Sequence, residues 1–289
     1  MIALVVLSAV FLFLFNLGTK INKAEGFGSF LNVTVMFGAA GIISWIVCLF
    51  SGNAITADML PFAAAFAVMV TVSMISSYVA YEKGSVAGTA LFSNAGLIVV
   101  IVFSVLFFKE ELNALKIIGI TGVLTALTFL SLPEDRSGGS KANVVWLALC
   151  ILILLNNSGI SIVGKIRQKN VGGQDPFGYM ALCYTLAFAL SAVTYFVANV
   201  KRKSLKKDAV LLRSCVPSLI FQIVGSAGSN LLVTYLSAIV DASILYPISM
   251  GGGLVLTILA GFIVFKEKKT ILRISGVTIG IVSMILLSI

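Results

Sequence analysis

The residues that most often carry out acid–base or metal chemistry are scarce in this chain and lie at the edges of its apolar stretches. The 289 residues include no histidine, and the eleven Asp and Glu residues all lie at the ends of apolar stretches or between them. The four cysteines, Cys48, Cys150, Cys183 and Cys215, show no CxxC spacing. Neither a histidine base nor a metal site is therefore indicated. We expect no enzyme, no metal and no cofactor.

Uncharged polar side chains, in contrast, occur inside the apolar stretches. An amide in hydrocarbon costs free energy unless it is hydrogen-bonded, so these residues should face the interior of a helical bundle. Bonding between neighbouring helices, or for tyrosine the interfacial aromatic belt, is the simpler role, and lining a substrate cavity is the alternative. Of the adjacent Asn156 and Asn157, whose side chains point about 100° apart on a helix, one is expected to reach the cavity. The cavity candidates are Asn16, Asn94, Asn156, Asn157, Tyr184, Gln222, Asn230 and Tyr246.

Charged residues beside the apolar stretches have simple roles as well as functional ones. Glu82 and Asp241 each precede a stretch, where they could cap a helix N-terminus or bind a coupling ion. Lys20 and Lys165 each end a stretch, and snorkelling to lipid headgroups is the simpler role for both. Attraction of an anionic substrate is the alternative for the two lysines. Glu110 and Glu267, which open two later stretches, are expected to be structural.

One apolar stretch contains helix-breaking residues near its middle. Pro247 lacks the backbone N–H of a regular helix, and it frees a carbonyl one turn earlier. Gly251, Gly252 and Gly253 follow it and could provide flexibility or close packing. These four residues are the candidates for a hinge or a broken helix, although a simple structural kink would explain them equally well.

Composition identifies an integral membrane protein. The chain is 59% hydrophobic and 11% charged, with a mean hydropathy of +1.10, whereas a soluble domain has about 25% charged residues. The net charge of +9 comes from basic residues between apolar stretches, where they orient a membrane protein rather than bind nucleic acid. The lipid bilayer and a small-molecule substrate are the expected partners. We expect a monomer, with a dimer as the alternative.

Ten stretches are long enough to cross a bilayer, since a helix needs about 20 apolar residues to do so. Their continuous hydrophobicity favours helices over the strands of a barrel, so the expected fold class is an all-α membrane protein. The first stretch lacks the basic start and cleavage site of a signal peptide and is expected to be retained. The ten stretches are 1–19, 28–50, 59–81, 85–108, 114–132, 142–164, 176–200, 211–236, 240–265 and 270–289.

The two halves of the chain repeat each other. An offset of 157 residues aligns Phe108-Lys109-Glu110 with Phe265-Lys266-Glu267, Gly119 with Gly276, and Leu130-Ser131 with Leu287-Ser288. The expected organisation is a first repeat at 1–132, a linker loop at 133–141 and a second repeat at 142–289. Each repeat holds five helices, an odd number, so the second enters the membrane from the opposite side. Transporters built from such inverted repeats bind substrates near the bilayer midplane.

The later helices also resemble a known family. A span with a central Pro247, a Glu267 at its exit and a Gly276 in the final span resembles the EamA-type branch of the drug/metabolite transporter (DMT) superfamily. The resemblance extends over essentially the whole chain and implies ten helices, a central cavity and transport of small metabolites or drugs by alternating access. Two features depart from the family pattern: Ser93-Asn94 stands where the second repeat has Pro247-Ile248, and the first helix lacks the usual aromatic-glycine pair.

Loop charge predicts the orientation. The loops on the side of the N-terminus contain 5 basic residues, and the loops on the other side contain 15. The positive-inside rule places the richer side in the cytoplasm and both termini outside, whereas the family usually has both termini inside.

The expected function is secondary transport across the cytoplasmic membrane by alternating access through a central polar-aromatic cavity. A neutral, zwitterionic or aromatic substrate suits that lining better than a multivalent ion. Because no carboxylate lies within a span, we expect weak or no proton coupling. The alternatives are a flippase-like carrier of a lipid-linked headgroup, which needs a lateral opening between helices, and a non-transporting membrane scaffold or sensor.

Overall fold

The computed structural model describes residues 1–24, 29–83, 86–131, 144–170, 175–202, 210, 212–263 and 270–288. Throughout these residues the regular structure is helical, as the sequence predicted. The predicted linker loop 133–141 and Glu267 lie outside the described residues. The helices are α1 (Ile2–Ala24), α2 (Ser29–Phe50), α3 (Met59–Lys83), α4 (Val86–Phe108), α5 (Ala114–Ser131), α6 (Val144–Asn170), α7 (Pro176–Arg202), α8 (Val216–Leu236), α9 (Ala242–Tyr246), α10 (Gly252–Ile263) and α11 (Ile271–Ser288).

Several of these helices are long and apolar, which indicates a multi-pass membrane protein. Seven helical segments have the length and composition to cross a membrane, and three shorter apolar helices accompany them among the described residues. Large apolar side chains are exposed on the outside, such as Phe50 at 90% and Val144 at 80%. Such a surface suits contact with lipid tails rather than with water.

The ninth predicted span is not one regular helix. α9 and α10 are separated by a π-helical turn, Pro247–Gly251, and together these three parts form what we call the interrupted helix, Ala242–Ile263. Pro247 has no N–H to continue the α-helical pattern, and its ring displaces the carbonyl one turn earlier. π-helical turns are rare and occur mostly as single turns inside α-helices, as this one does. The interruption begins at Pro247, the residue for which the sequence suggested either a hinge or a simple structural kink.

Other helix ends differ from the predicted spans in ways that packing explains. α6 continues past residue 164 to Asn170 because Lys165 and Arg167 are buried inside the protein instead of marking the end of the helix. α8 begins at Val216, later than the predicted residue 211, with Pro217 in its first turn. Proline is tolerated there because the first N–H groups of a helix have no intrahelical acceptor.

The helices pack as a bundle of pairs. The most extensive contacts join α1 with α8, α3 with α6, α2 with α7, and α5 with α11. α4 also packs on α6, and α1 also packs on the interrupted helix. Glycine permits close approaches of this kind: a Cβ at Gly225 of α8 would clash with the backbone nitrogen of Phe15 in α1. Small residues at such contacts let helix backbones approach where lipid provides no hydrophobic drive.

Candidate functional site

A buried carboxylate lies at one end of the bundle, where the link between α4 and α5 meets the start of α9. Glu110 accepts hydrogen bonds from the backbone N–H groups of Ala242, at 2.9 Å, and Ser243, at 3.1 Å. These N–H groups belong to the first turn of α9, which has no acceptor within its own helix. Glu110 therefore caps a helix that is 132 residues away in sequence.

Lys165 of α6 completes this arrangement, which we call the Glu110 cluster: Glu110, Lys165 and the backbone of Val240, Ala242 and Ser243. The Lys165 ammonium donates to the carbonyl of Val240 at 2.6 Å and lies 3.6 Å from a Glu110 carboxylate oxygen. Both charged side chains are only 2% exposed. The prediction that Lys165 snorkels to the headgroups is wrong, because the amine is enclosed between α6, α9 and the α4–α5 link.

Asp241 stands at the N-cap position of α9 but does not cap the helix with its side chain. Its carboxylate forms an ion pair with Lys116 of α5 at 2.9 Å instead. The capping bonds that the sequence suggested for Asp241 come from Glu110. The other capping or coupling candidate, Glu82, lies in the last turn of α3, and its side chain is outside the described residues.

Two connecting segments are joined at the same end of the bundle. Asn53, after α2, accepts a hydrogen bond from the backbone N–H of Phe177 at 3.0 Å. Asp175, before α7, accepts one from the backbone N–H of Ala54 at 3.0 Å. Together with the Glu110 cluster and the Lys116–Asp241 pair, these bonds join the first half of the chain to the second. We call this end, where the connections 51–58, 109–113 and 237–241 lie, the Glu110 side.

A second buried polar group lies just beyond Lys165 and is called the guanidinium cluster: Arg167, Gln168 and Tyr179. All three residues are at most 2% exposed. The Arg167 guanidinium lies 5.0 Å from the centre of the Tyr179 ring, within the range of a cation–π contact. Its Nη1 donates to Gln168 Oε1 at 3.3 Å.

Two predicted cavity residues, Tyr184 of α7 and Asn230 of α8, belong to one hydrogen-bonded group. The Tyr184 hydroxyl lies 2.9 Å from both the carbonyl and the hydroxyl oxygen of Ser226, and Asn230 donates to the Tyr184 hydroxyl at 3.0 Å. Tyr184 is buried and Asn230 is half-buried. The structure brings these two candidates together, with their polar atoms engaged by each other.

The two adjacent asparagines of α6 have different surroundings. Asn157 accepts a hydrogen bond from Ser73 of α3 and donates to Ser93 of α4 at 2.8 Å, so it joins three helices. Asn156 donates to the Leu152 carbonyl of its own helix at 2.7 Å. Of the pair, Asn157 is thus the one that lies in the bundle interior.

Gln222 of α8 bonds across the α1–α8 contact, where it accepts from Asn22 at 2.9 Å and donates to Thr19 at 3.1 Å. Asn16 of α1 instead donates to Thr257 of α10 at 3.3 Å. Asn22 was not predicted from the sequence, although its place in an apolar helix beside Lys20 was a usable signal.

Asn94 of α4 differs from the other candidates. It is half-buried and makes no hydrogen bond within the part of the chain that the structure describes. It lies seven residues before Ile101, which is 6% exposed, so both face the same interior side of α4. Its amide is available to a ligand.

The cavity candidate Tyr246 and the hinge candidates that follow it lie in a tightly packed region. Tyr246 is buried and donates to the Ser161 carbonyl of α6 at 2.9 Å. A Cβ at Gly251 would meet Val123 of α5 at 2.9 Å, and a Cβ at Gly253 would meet Leu12 of α1 at 2.9 Å. A Cβ at Gly252 would likewise crowd α1, 3.0 Å from the Ala9 side chain. The three glycines thus allow neighbouring helices to approach the interrupted helix.

Most of the buried charge chemistry was not predicted from the sequence. Glu110 and Lys165 were expected to have ordinary roles at helix ends, and Arg167 and Gln168 were not among the candidates. The available signal was the spacing of Lys165 and Arg167, two cations that directly follow an apolar stretch with no acidic residue before Asp175. Only the contacts of Lys165 with the Val240 carbonyl and of Arg167 with the Tyr179 ring show that these cations are enclosed.

Comparisons with known proteins bear on the fold alone. No family model and no curated protein match the sequence. The chain is similar to a solved structure described as "Crystal structure of protein", with a TM-score of 0.74 and 14% sequence identity. The similarity covers 98% of this chain and 94% of that chain. The fold of this helical membrane protein therefore also occurs, over nearly its full length, in an experimentally determined structure.

Proposed function

We propose that the protein is a secondary transporter with ten membrane-spanning segments in two inverted five-helix repeats. It moves a small organic metabolite or drug across the cytoplasmic membrane by alternating access. The ten segments are the seven long apolar segments and the three shorter ones. The resemblance of the sequence to the DMT superfamily is part of this proposal.

The observation that carries the proposal is a reciprocal contact between α5 and α11. A Cβ at Gly119 would lie 2.7 Å from Leu287, and a Cβ at Gly276 would lie 2.8 Å from Leu130. The 157-residue offset pairs Gly119 with Gly276 and Leu130 with Leu287. If the two repeats are exchanged, the Gly119–Leu287 contact becomes the Gly276–Leu130 contact and the reverse. Such a reciprocal contact is expected for two helices related by a two-fold axis.

The other helix pairs follow the same exchange. If each helix of the first repeat is replaced by its counterpart in the second, the α1–α8 pair becomes α6–α3, which is also a major contact. The α4–α6 contact likewise becomes the contact between the interrupted helix and α1. Two repeats that share one set of contacts can exchange conformations, and this exchange is the structural basis of alternating access in inverted-repeat transporters.

The Glu110 side acts as a closed gate in this proposal. Glu110 and Lys116 of the first repeat bond α9 and Asp241 of the second, and Asp175 of the second bonds Ala54 of the first. Opening this side requires these bonds to separate. The interrupted helix is the element that moves, because its π-helical turn lies between the gate and the middle of the bundle.

The transported molecule meets uncharged polar groups at the middle of the bundle, among which Asn94 offers an unused amide. A neutral, zwitterionic or aromatic compound is compatible with these groups. Transport depends weakly or not at all on protons, since none of the carboxylates lies within a span. In orientation, the Glu110 side and both termini face outside the cell, as the loop charges predict.

The proposal is tested with purified protein in proteoliposomes. Vesicles are incubated with a mixture of small metabolites, and their contents are compared with those of protein-free vesicles by mass spectrometry. Accumulation of a compound only in vesicles that contain protein supports transport, and equal contents throughout contradict it. For a transported compound, activity that stops when the pH gradient is collapsed, but not when the voltage alone is, contradicts proton-independent transport.

A further inference from the structure

Three residues in the described part of the chain have a left-handed backbone, and each lies beside a bond that closes the Glu110 side. They are Gly52, Lys109 and Asp175, with φ values of 64°, 53° and 55°. Asn53, which follows Gly52, bonds the second half of the chain through its side chain. Glu110 follows Lys109 and does the same, and Asp175 bonds the first half with its own carboxylate. A left-handed step therefore occurs at each of these connections.

Lys109 is the residue for which this backbone conformation is most costly. In the left-handed region the Cβ approaches the following carbonyl oxygen, so glycine adopts it freely and aspartate tolerates it better than lysine does. Left-handed residues are common directly after a helix, as here after α4, but glycine usually takes that position. The Lys109 side chain is exposed, so its own packing does not enforce the conformation. The strain is held by the neighbouring residue, Glu110, whose carboxylate bonds two N–H groups of α9.

We propose that Lys109 stores backbone strain in the closed gate and that this strain favours opening of the Glu110 side. The closed state is held by several polar contacts, among them the two bonds of Glu110 and the Lys116–Asp241 ion pair. When Glu110 leaves α9, nothing holds Lys109 in the left-handed region, and its backbone returns to an ordinary conformation. The released strain offsets part of the cost of breaking these contacts, which keeps the gate able to open.

This inference rests on the proposed function for its purpose and not for its measurement. A gate matters only to a protein that exchanges between two states. Separation of Glu110 from α9, however, can be measured in detergent with no substrate and no membrane.

Hydrogen exchange of the full-length protein in detergent tests the inference at the backbone N–H groups of Ala242 and Ser243. Both N–H groups are bonded to Glu110, so they exchange when the gate separates. The two variants are Lys109→Asn and Lys109→Gln, which both replace the cation with a neutral amide. Asparagine tolerates the left-handed region better than glutamine does. We expect exchange in Lys109→Asn to be about fivefold slower than in Lys109→Gln, a difference of about 1 kcal/mol.

The matched pair removes the effect of charge, and Lys109→Gln should exchange like the wild type because it keeps the strain. The inference is overturned if the two variants exchange at the same rate at Ala242 and Ser243. It is also overturned if Lys109→Asn slows exchange equally in every helix, because the strain would then be released only when the whole protein unfolds. Both results are separate from the proteoliposome test, so a failure of transport and a failure of this inference are distinguished.

Discussion

At the scale of single residues, Glu110 connects segments that are distant in the sequence. It joins the α4–α5 link to the first turn of α9 and lies beside Lys165 of α6. Transfer of these two charges from water is costly, and the two backbone N–H groups and the Val240 carbonyl offset part of that cost. The arrangement fixes one end of the bundle in a defined geometry rather than adding much net stability.

Substitution of Glu110 by Gln should destabilise the protein strongly. The change leaves the Lys165 ammonium buried without its carboxylate, and breaking such a pair costs about 3–5 kcal/mol. Glu111→Gln is the matched control, because Glu111 is adjacent and exposed, and it should change stability by less than about 0.5 kcal/mol. Thermal unfolding in detergent measures both. Equal Tm values for the two variants would show that the Glu110 cluster does not fix this end.

At the scale of helices, glycine positions decide which pairs can approach closely. Gly225 faces the backbone of α1, whereas a Cβ at Gly164 of α6 would meet nothing within 4 Å. Both glycines lie inside helices, so their intrinsic cost to helix formation is the same. Their different surroundings therefore isolate the contribution of packing.

Gly225→Ala should destabilise the protein, and Gly164→Ala should not. At Gly225 the added methyl group meets backbone atoms that cannot rotate away, and overpacking of this kind costs about 1–3 kcal/mol. At Gly164 the better helix propensity of alanine should give up to about 1 kcal/mol of stabilisation. Thermal unfolding of the two variants distinguishes the effects. Similar Tm changes in both would contradict the close α1–α8 packing.

The interrupted helix owes its π-helical turn to Pro247, so Pro247→Ala should make this segment more regular. We expect slower hydrogen exchange of the backbone over 242–251, since alanine restores an N–H donor to the helix. Pro217→Ala, in the first turn of α8, is the control and should leave exchange in its own helix nearly unchanged. Faster or unchanged exchange over 242–251 in Pro247→Ala would show that the proline does not cause the interruption.

At the scale of the whole molecule, the orientation proposal is directly measurable. In the proposed orientation, which follows the loop charges, both termini lie outside, so a cysteine tag at the N-terminus should react with a membrane-impermeant maleimide in intact cells. The four native cysteines are buried, so they offer little background. Reaction of the tag only after permeabilisation would reverse the orientation and leave the fold unaffected.

The lengths of the apolar stretches and the types of residue within them made much of this fold predictable from the sequence. The apolar stretches predicted the helices, and Pro247 marked the interruption of the ninth span. The roles of Lys165 and Arg167 were not predictable in the same way. Position along a helix places a cation near the end of a span. Whether it reaches lipid headgroups or is enclosed depends on contacts with distant residues, here the Val240 carbonyl and the Tyr179 ring. The same limit applied to Glu110, which caps a helix through Ala242 and Ser243, 132 and 133 residues away.

The central proposal is that the two repeats exchange conformations. The most direct test is the rate at which position 94 is labelled from each side of the membrane. Asn94→Cys, in a chain whose four native cysteines are replaced by alanine, is labelled with an impermeant maleimide in right-side-out and inside-out vesicles. The same measurement is made with Glu110→Gln added, and with Glu111→Gln added as the control.

Loss of the Glu110 cluster should shift the protein towards the state that is open on the Glu110 side. We predict about tenfold faster labelling from that side, which corresponds to a shift of about 1.4 kcal/mol, together with slower labelling from the opposite side. Glu111→Gln should change neither rate. Labelling that rises from both sides, or from neither, would contradict alternating access between two inverted repeats.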